Sequence, residues 1–158
     1  MTGKSTRNGR YRQQHYKIGK IDQIIIDIQR NLRDSWKPMN IESLTAYERK
    51  RIHTFFDNKS DYKTKTYREG DKFIFRVYPL KNLKKLAEEK AKEALATGNT
   101  VALPPMGNYE RFIIHDHLKD WEGIETSSFG ENKERHVEIT PKKFGRTLKK
   151  IIKKIKLF

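Results

Sequence analysis

The sequence predicts an α+β chain of two tandem modules, each a three-stranded sheet covered by two helices, with a basic tail at either end. Three observations predict it. A self-comparison at a shift of 62 positions aligns two long segments without a gap. Each segment passes from helical to strand periodicity in the same order. The excess positive charge lies outside both segments, at the two ends of the chain.

The alignment pairs Tyr47-Glu48-Arg49 with Tyr109-Glu110-Arg111, and Ile52-His53 with Ile114-His115. Downstream, Phe56 meets Leu118, Tyr62 meets Ile124, Thr64 meets Thr126 and Thr66 meets Ser128. Tyr67 meets Phe129, Phe75 meets Val137, Val77 meets Ile139, and Pro79 meets Pro141. Upstream, Ile41 meets Leu103 and Leu44 meets Met106. Apolar positions therefore recur with the identities, as a duplicated core requires. The division that follows is a basic arm at 1–20, a first module at 21–80, a second at 81–141 and a tail at 142–158.

The elements follow from local pattern. Ile21, Ile24, Ile25, Ile28 and Leu32 recur at helical spacing and predict a helix over 21–34, ended by Trp36-Lys37-Pro38. Its counterpart runs from Leu83 through Leu86, Ala87, Ala91, Ala94 and Leu95, with Gly98 as a left-handed cap beyond its end. Short extended segments follow at Met39–Ser43 and Thr100–Leu103. Thr45 and Glu48 have the spacing of a capping box that opens a second helix, and Asn108 is the expected N-cap of the matching one. Tyr47 and Tyr109 fall in the first turn of these helices and are expected to pack. Each module closes with a hairpin. Tyr62-x-Thr64-x-Thr66 and Ile124-x-Thr126-x-Ser128 alternate at the strand period. Turns at Glu69-Gly70-Asp71 and Gly130-Glu131-Asn132 lead into Phe73-x-Phe75-x-Val77 and Arg135-x-Val137-x-Ile139. Two helices on one face of such a sheet leave its other face more exposed.

Charge narrows the function. The 158 residues carry a formal net charge of +15. Residues 1–20 hold six Lys and Arg with no acid, and 142–158 hold eight with no acid, so the body between is near neutral. Cationic arms suit a polyanion, whose condensed counterions are released on binding; an anionic membrane and simple solubility are the other readings. The absence of cysteine excludes disulfides and thiolate zinc sites and fits a cytoplasmic location. No apolar run approaches the roughly 20 residues of a membrane span.

Arg49 with His53, and Arg111 with His115, stand four apart on helices and so share a face. The planar guanidinium fork matches phosphate oxygens, and an imidazole adds a donor beside it. The alternative is a surface Arg and a half-buried His that bonds the hairpin.

The stretch from Leu103-Pro104-Pro105-Met106 through Asn108-Tyr109-Glu110-Arg111 to Ile114-His115 resembles the opening of the R-three-H family, named for an arginine and a histidine separated by three residues. Ile124-Glu125-Thr126-Ser127-Ser128 and Arg135-His136-Val137-Glu138-Ile139 are similar to that family's closing hairpin. The second segment is most similar to the R-three-H half of bacterial Jag proteins, and 41–79 resembles the family less closely. Two tandem R-three-H-like modules are thus expected. The resemblance implies single-stranded nucleic-acid binding, RNA more than DNA, without catalysis or a cofactor. It implies that Arg111 and His115 contact phosphate, that Arg135 is a third basic contact, and that Thr126 and Ser128 present hydroxyls beside them. Arg49 and His53 are the corresponding pair in the first module. Jag proteins place a KH domain ahead of this domain, whereas the present chain has no Gly-x-x-Gly. The first module also has Phe73 where the second has Arg135, so it binds differently, by stacking a base, or serves structure.

Tyr47, Tyr67, Phe73, Phe129 and Trp121 are the candidate stacking residues. At the C-terminus, Phe144, Leu148, Ile151, Ile152 and Ile155 recur at helical spacing among lysines. This predicts a basic amphipathic helix that docks on the body, enters a nucleic-acid or ribosomal groove, or rests on an anionic membrane. A membrane- or ribosome-associated adaptor is therefore a competing function, and a nuclease using His53, His115, His117 or His136 a remoter one.

Overall fold

The computed structural model describes residues 19–142, so the expectations for the N-terminal arm and the C-terminal helix lie outside the described residues. Among the described residues four α-helices and six strands follow in the order α1 Lys20–Asn31, β1 Met39–Ile41, α2 Ala46–Asp57, β2 Tyr62–Glu69, β3 Lys72–Pro79, α3 Leu80–Thr97, β4 Val101–Ala102, α4 Asn108–Leu118, β5 Ile124–Phe129 and β6 His136–Pro141. The strands form two antiparallel three-stranded sheets, ordered β1-β3-β2 and β4-β6-β5. Their registers coincide at the shift seen in the sequence. Val77 faces Met39 and Thr64 in the first sheet, and Ile139 faces Val101 and Thr126 in the second.

Two separate apolar cores result. Ile25 and Ile28 of α1 with Leu32 at its C-cap, Ile52 and Phe56 of α2, and Phe75 and Val77 of β3 close the first. Leu83, Ala87, Ala91 and Ala94 of α3 pack with Ile114, Leu118, Ile124, Val137 and Ile139 in the second. The three alanines carry little bulk, so the axis of α3 lies close to the sheet it covers.

Several local expectations change. Helix α1 ends at Asn31 rather than near 34. Helix α3 starts at Leu80, directly after β3, with no linker between the halves. Gly98 is its C-cap at φ 71°, as anticipated. Asn108 is not the N-cap of α4: Gly107 is, and the Asn108 side chain, one position inside the helix, accepts from Arg111. A Cβ at Gly107 would meet Glu110 Oε2 at 2.7 Å, so any side chain there would push that carboxylate away from the cap amide. The second hairpin turn is longer than its three expected residues. A 3-10 turn at Asn132–Glu134 extends it, and β6 begins at His136 rather than Arg135.

The outer face of the first sheet is covered, against expectation. Ile74 and Tyr78, which point away from α1 and α2, are 8% and 1% exposed. The Tyr109 ring of α4 packs edge-on to Tyr78 at 4.7 Å. Two other contacts tie the halves together. The Asn82 amide donates to the Leu32, Arg33 and Ser35 carbonyls at 2.8, 3.0 and 2.9 Å, satisfying the C-terminal end of α1 from α3. Trp36, which reads in the sequence only as a helix stop, packs against the second core.

Candidate nucleic-acid interface

The first turns of α2 and α4 fix where the arginines stand. Thr45 and Glu48 form the anticipated capping box on α2. Glu48 also pairs with Lys20 at 2.7 Å, and the lysine together with the Thr45 bonds holds its carboxyl down at about 2. On α4 only the carboxylate half of that arrangement remains, Glu110 accepting from the Gly107 amide at 3.4 Å. Each cap sets the loop before it at a fixed distance from the arginine one turn into the helix.

Both arginines reach back to that loop. Arg49 donates to the Leu44 carbonyl at 2.6 Å, and Arg111 to the Met106 carbonyl at 2.7 Å. Arg111 also donates to Asn108 Oδ1. Its exposure is 9%, yet no carboxylate among the described residues forms an ion pair with it. A buried cation ordinarily has an anionic partner, since desolvation costs several kcal/mol per ion. Here only neutral oxygens meet it, which leaves a positive potential beside α4.

The histidines meet the hairpins. His115 Nδ1 lies 2.7 Å from Thr126 Oγ1, and its Nε2 lies 2.8 Å from Ser128 Oγ. His53 Nδ1 bonds Thr64 Oγ1 in the same way. The reading of a half-buried histidine bonded to its hairpin thus describes His115. Arg111, His115, Thr126 and Ser128 form one cluster at the seam of α4 and the edge strand β5. Arg135 stands exposed at the mouth of β6, its carbonyl accepting from the Met106 amide at 3.1 Å, so the loop held by Arg111 also anchors Arg135. In the first half, Arg49 is half-buried, His53 is exposed, and the Arg49 guanidinium lies 4.6 Å from the Phe73 ring centre. Phe73 therefore already carries a cation on its ring.

Burial, reinforced by the Arg111 charge, pushes the His115 pKa below the usual imidazole value. The folded state thus binds fewer protons than the unfolded chain just below that ordinary value, and its stability falls as pH drops. The His115 contribution is complete above about pH 6.5 and is lost as pH falls through the folded pKa. Urea unfolding at pH 7.5 and pH 5 is expected to show a smaller loss for His115→Gln than for the unsubstituted protein; equal losses would contradict the assignment.

Of the candidate stacking residues, Tyr47 and Phe129 are 66% and 50% exposed, so Tyr47 does not pack as expected, whereas Tyr109 does. Trp121 packs against the second core, and Tyr67 bonds the Tyr78 hydroxyl at 2.7 Å. Sequence reasoning missed three features: Asn108 as partner of Arg111, the loop carbonyls that orient both arginines, and the exposed Phe112. The repeat held a signal for Phe112, since an aromatic stands there where the first segment has Lys50.

Two known proteins match part of the chain. The RNA-binding protein KhpB of Lactiplantibacillus plantarum is 41% identical over 61 residues, which cover 39% of this chain and 19% of that protein. The RNA-binding protein KhpB of Bacillus subtilis is 37% identical over 71 residues, covering 44% of this chain and 34% of that protein. The chain thus spans about a fifth and a third of the lengths of these relatives. The family model of the R-three-H domain matches residues 81–141, the segment that holds α3, α4 and the whole Arg111–His115 cluster.

Proposed function

We propose that this protein binds single-stranded nucleic acid, RNA in preference to DNA, and holds its sugar-phosphate backbone at Arg111, His115 and Arg135. The observation that carries the reading is the buried Arg111 guanidinium with no carboxylate partner among the described residues. A phosphate would supply the missing counter-charge, and Arg135 would meet the same or the next phosphate from the mouth of β6. Thr126 and Ser128 occupy both nitrogens of His115, which suits a role in orienting those two hydroxyls toward the strand better than general-base chemistry. The names of the two KhpB relatives support RNA as the ligand.

Residues 21–80 and 81–141 form two modules of one kind in this reading. It is supported by the common strand order and register and by the matching Arg–carbonyl and His–hydroxyl bonds. Arg49 and His53 then make a second, weaker contact, and the basic ends at 1–20 and 142–158 add charge to the same strand.

Fluorescence anisotropy of a labelled single-stranded RNA across a salt series tests the proposal. Affinity is expected to fall linearly on log–log axes, and Arg135→Ala to make the slope shallower by about 0.7, one phosphate contact. A flat salt response, or an unaltered slope in the variant, would refute it.

A further inference from the structure

The outer face of the first sheet and the first two turns of α4 enclose a groove of about 480 Å³, lined among others by Lys65, Tyr67, Arg76, Asn108, Tyr109 and Phe112. Phe112 is 58% exposed, a large apolar surface left in water on a helix that otherwise buries its apolar face. Its ring lies 6.3 Å from that of Tyr109 and within 25° of parallel. Lys65 Nζ stands 3.5 Å from the Tyr109 ring centre, and the Arg76 guanidinium 5.0 Å from that of Tyr67. Arg76 donates to the neutral Asn40 Oδ1 at 2.6 Å, and neither cation forms an ion pair among the described residues. The one acid on the wall, Glu110, is directed to the Gly107 amide.

We infer that this groove takes a nucleobase, stacked on Phe112, from the same strand whose phosphate sits at Arg111. The inference rests on the phosphate reading above. Asn108 links the two places: its side chain accepts from Arg111 and also lines the groove. On the helix Asn108, Arg111, Phe112 and His115 fall within one arc, so a backbone held at Arg111 delivers its neighbouring base over Phe112. An aromatic face suits any base, and the two cations beyond it suit the next phosphate. The groove needs residues from both halves, so the second half alone would lack it.

The test compares a single-stranded oligonucleotide with an abasic strand of equal length on the full chain. Phe112→Ala is expected to weaken the base-bearing strand roughly five- to a hundredfold and to leave the abasic strand unaffected, with Phe112→Trp restoring affinity. Equal effects on both strands, or none on either, would overturn the groove assignment. Arg111→Gln is expected to weaken both strands. If it weakens neither while Phe112→Ala still separates them, the phosphate reading fails and the groove stands.

Discussion

Arg111→Gln is expected to weaken single-strand RNA binding by roughly ten- to a hundredfold while the protein remains folded. The size follows from the value of a charge-assisted hydrogen bond, about 1.5–3 kcal/mol. Glutamine removes the charge and ends where the arginine has Nε, short of the Nη atoms that make the present bonds. The same substitution disturbs the fold less. It loses the bonds to the Met106 carbonyl and to Asn108, at a cost of about 1–3 kcal/mol, against which it relieves the burial of a cation that nothing anionic offsets. Arg111→Lys should be intermediate, since a point charge cannot hold Met106, Asn108 and a phosphate at once. Anisotropy gives the affinities, and thermal melting followed by circular dichroism shows that each variant is folded at the assay temperature. A folded Arg111→Gln protein that binds with unaltered affinity would leave the central cluster without a role.

The second large effect concerns the two cores. Phe56→Ala is expected to cost about 3–5 kcal/mol, because the ring is fully buried and packs edge-on against Phe55 and Tyr62 at 5.1 and 5.0 Å. That is enough to unfold a small half-domain core in mild denaturant. The second core shares no residue with the first, so it should survive. A convenient probe distinguishes them. The chain has two tryptophans, and both Trp36 and Trp121 pack against the second core. Trp36 belongs to the first half and would leave that core with it, so the variant is made together with Trp36→Phe; circular dichroism should then show a transition at low denaturant that Trp121 fluorescence largely misses. Coincident transitions by both probes would mean that Asn82 and the Tyr78–Tyr109 contact weld the halves into one cooperative unit. Two-module independence would then be wrong.

The element pattern is legible in the sequence because it depends on short-range periodicity. The isoleucines of α1, the Thr45–Glu48 box and the alternating strands each follow from neighbours along the chain. That the two sheets share one register is also implicit, since strands repeated at a fixed shift can each pair with their own neighbours in the same way. The Arg-x-x-x-His spacing places the two side chains on one helix face, and the alternating hydroxyls place Thr126 and Ser128 on one strand face. What spacing does not give is the state of those groups. Whether a guanidinium is solvated or buried, and whether it meets a carboxylate or a carbonyl, depends on residues brought near by folding.

The same limit explains the departures. Asn108 is a good cap by residue type, but it falls inside the first turn of the helix, and its amide oxygen accepts from the Arg111 guanidinium. The outer face of the first sheet is open only when each half is taken alone; α4 of the second half covers it through Tyr109. Sequence alone thus determined the order of elements, the repeated pattern and the identity of the Arg–His pairs, because each is a matter of residues a few positions apart. Tertiary structure decided the uncompensated burial of Arg111, the lowered His115 pKa and the groove beside Phe112. Desolvation and contact across the two halves are properties of the packed chain, and no local pattern encodes them.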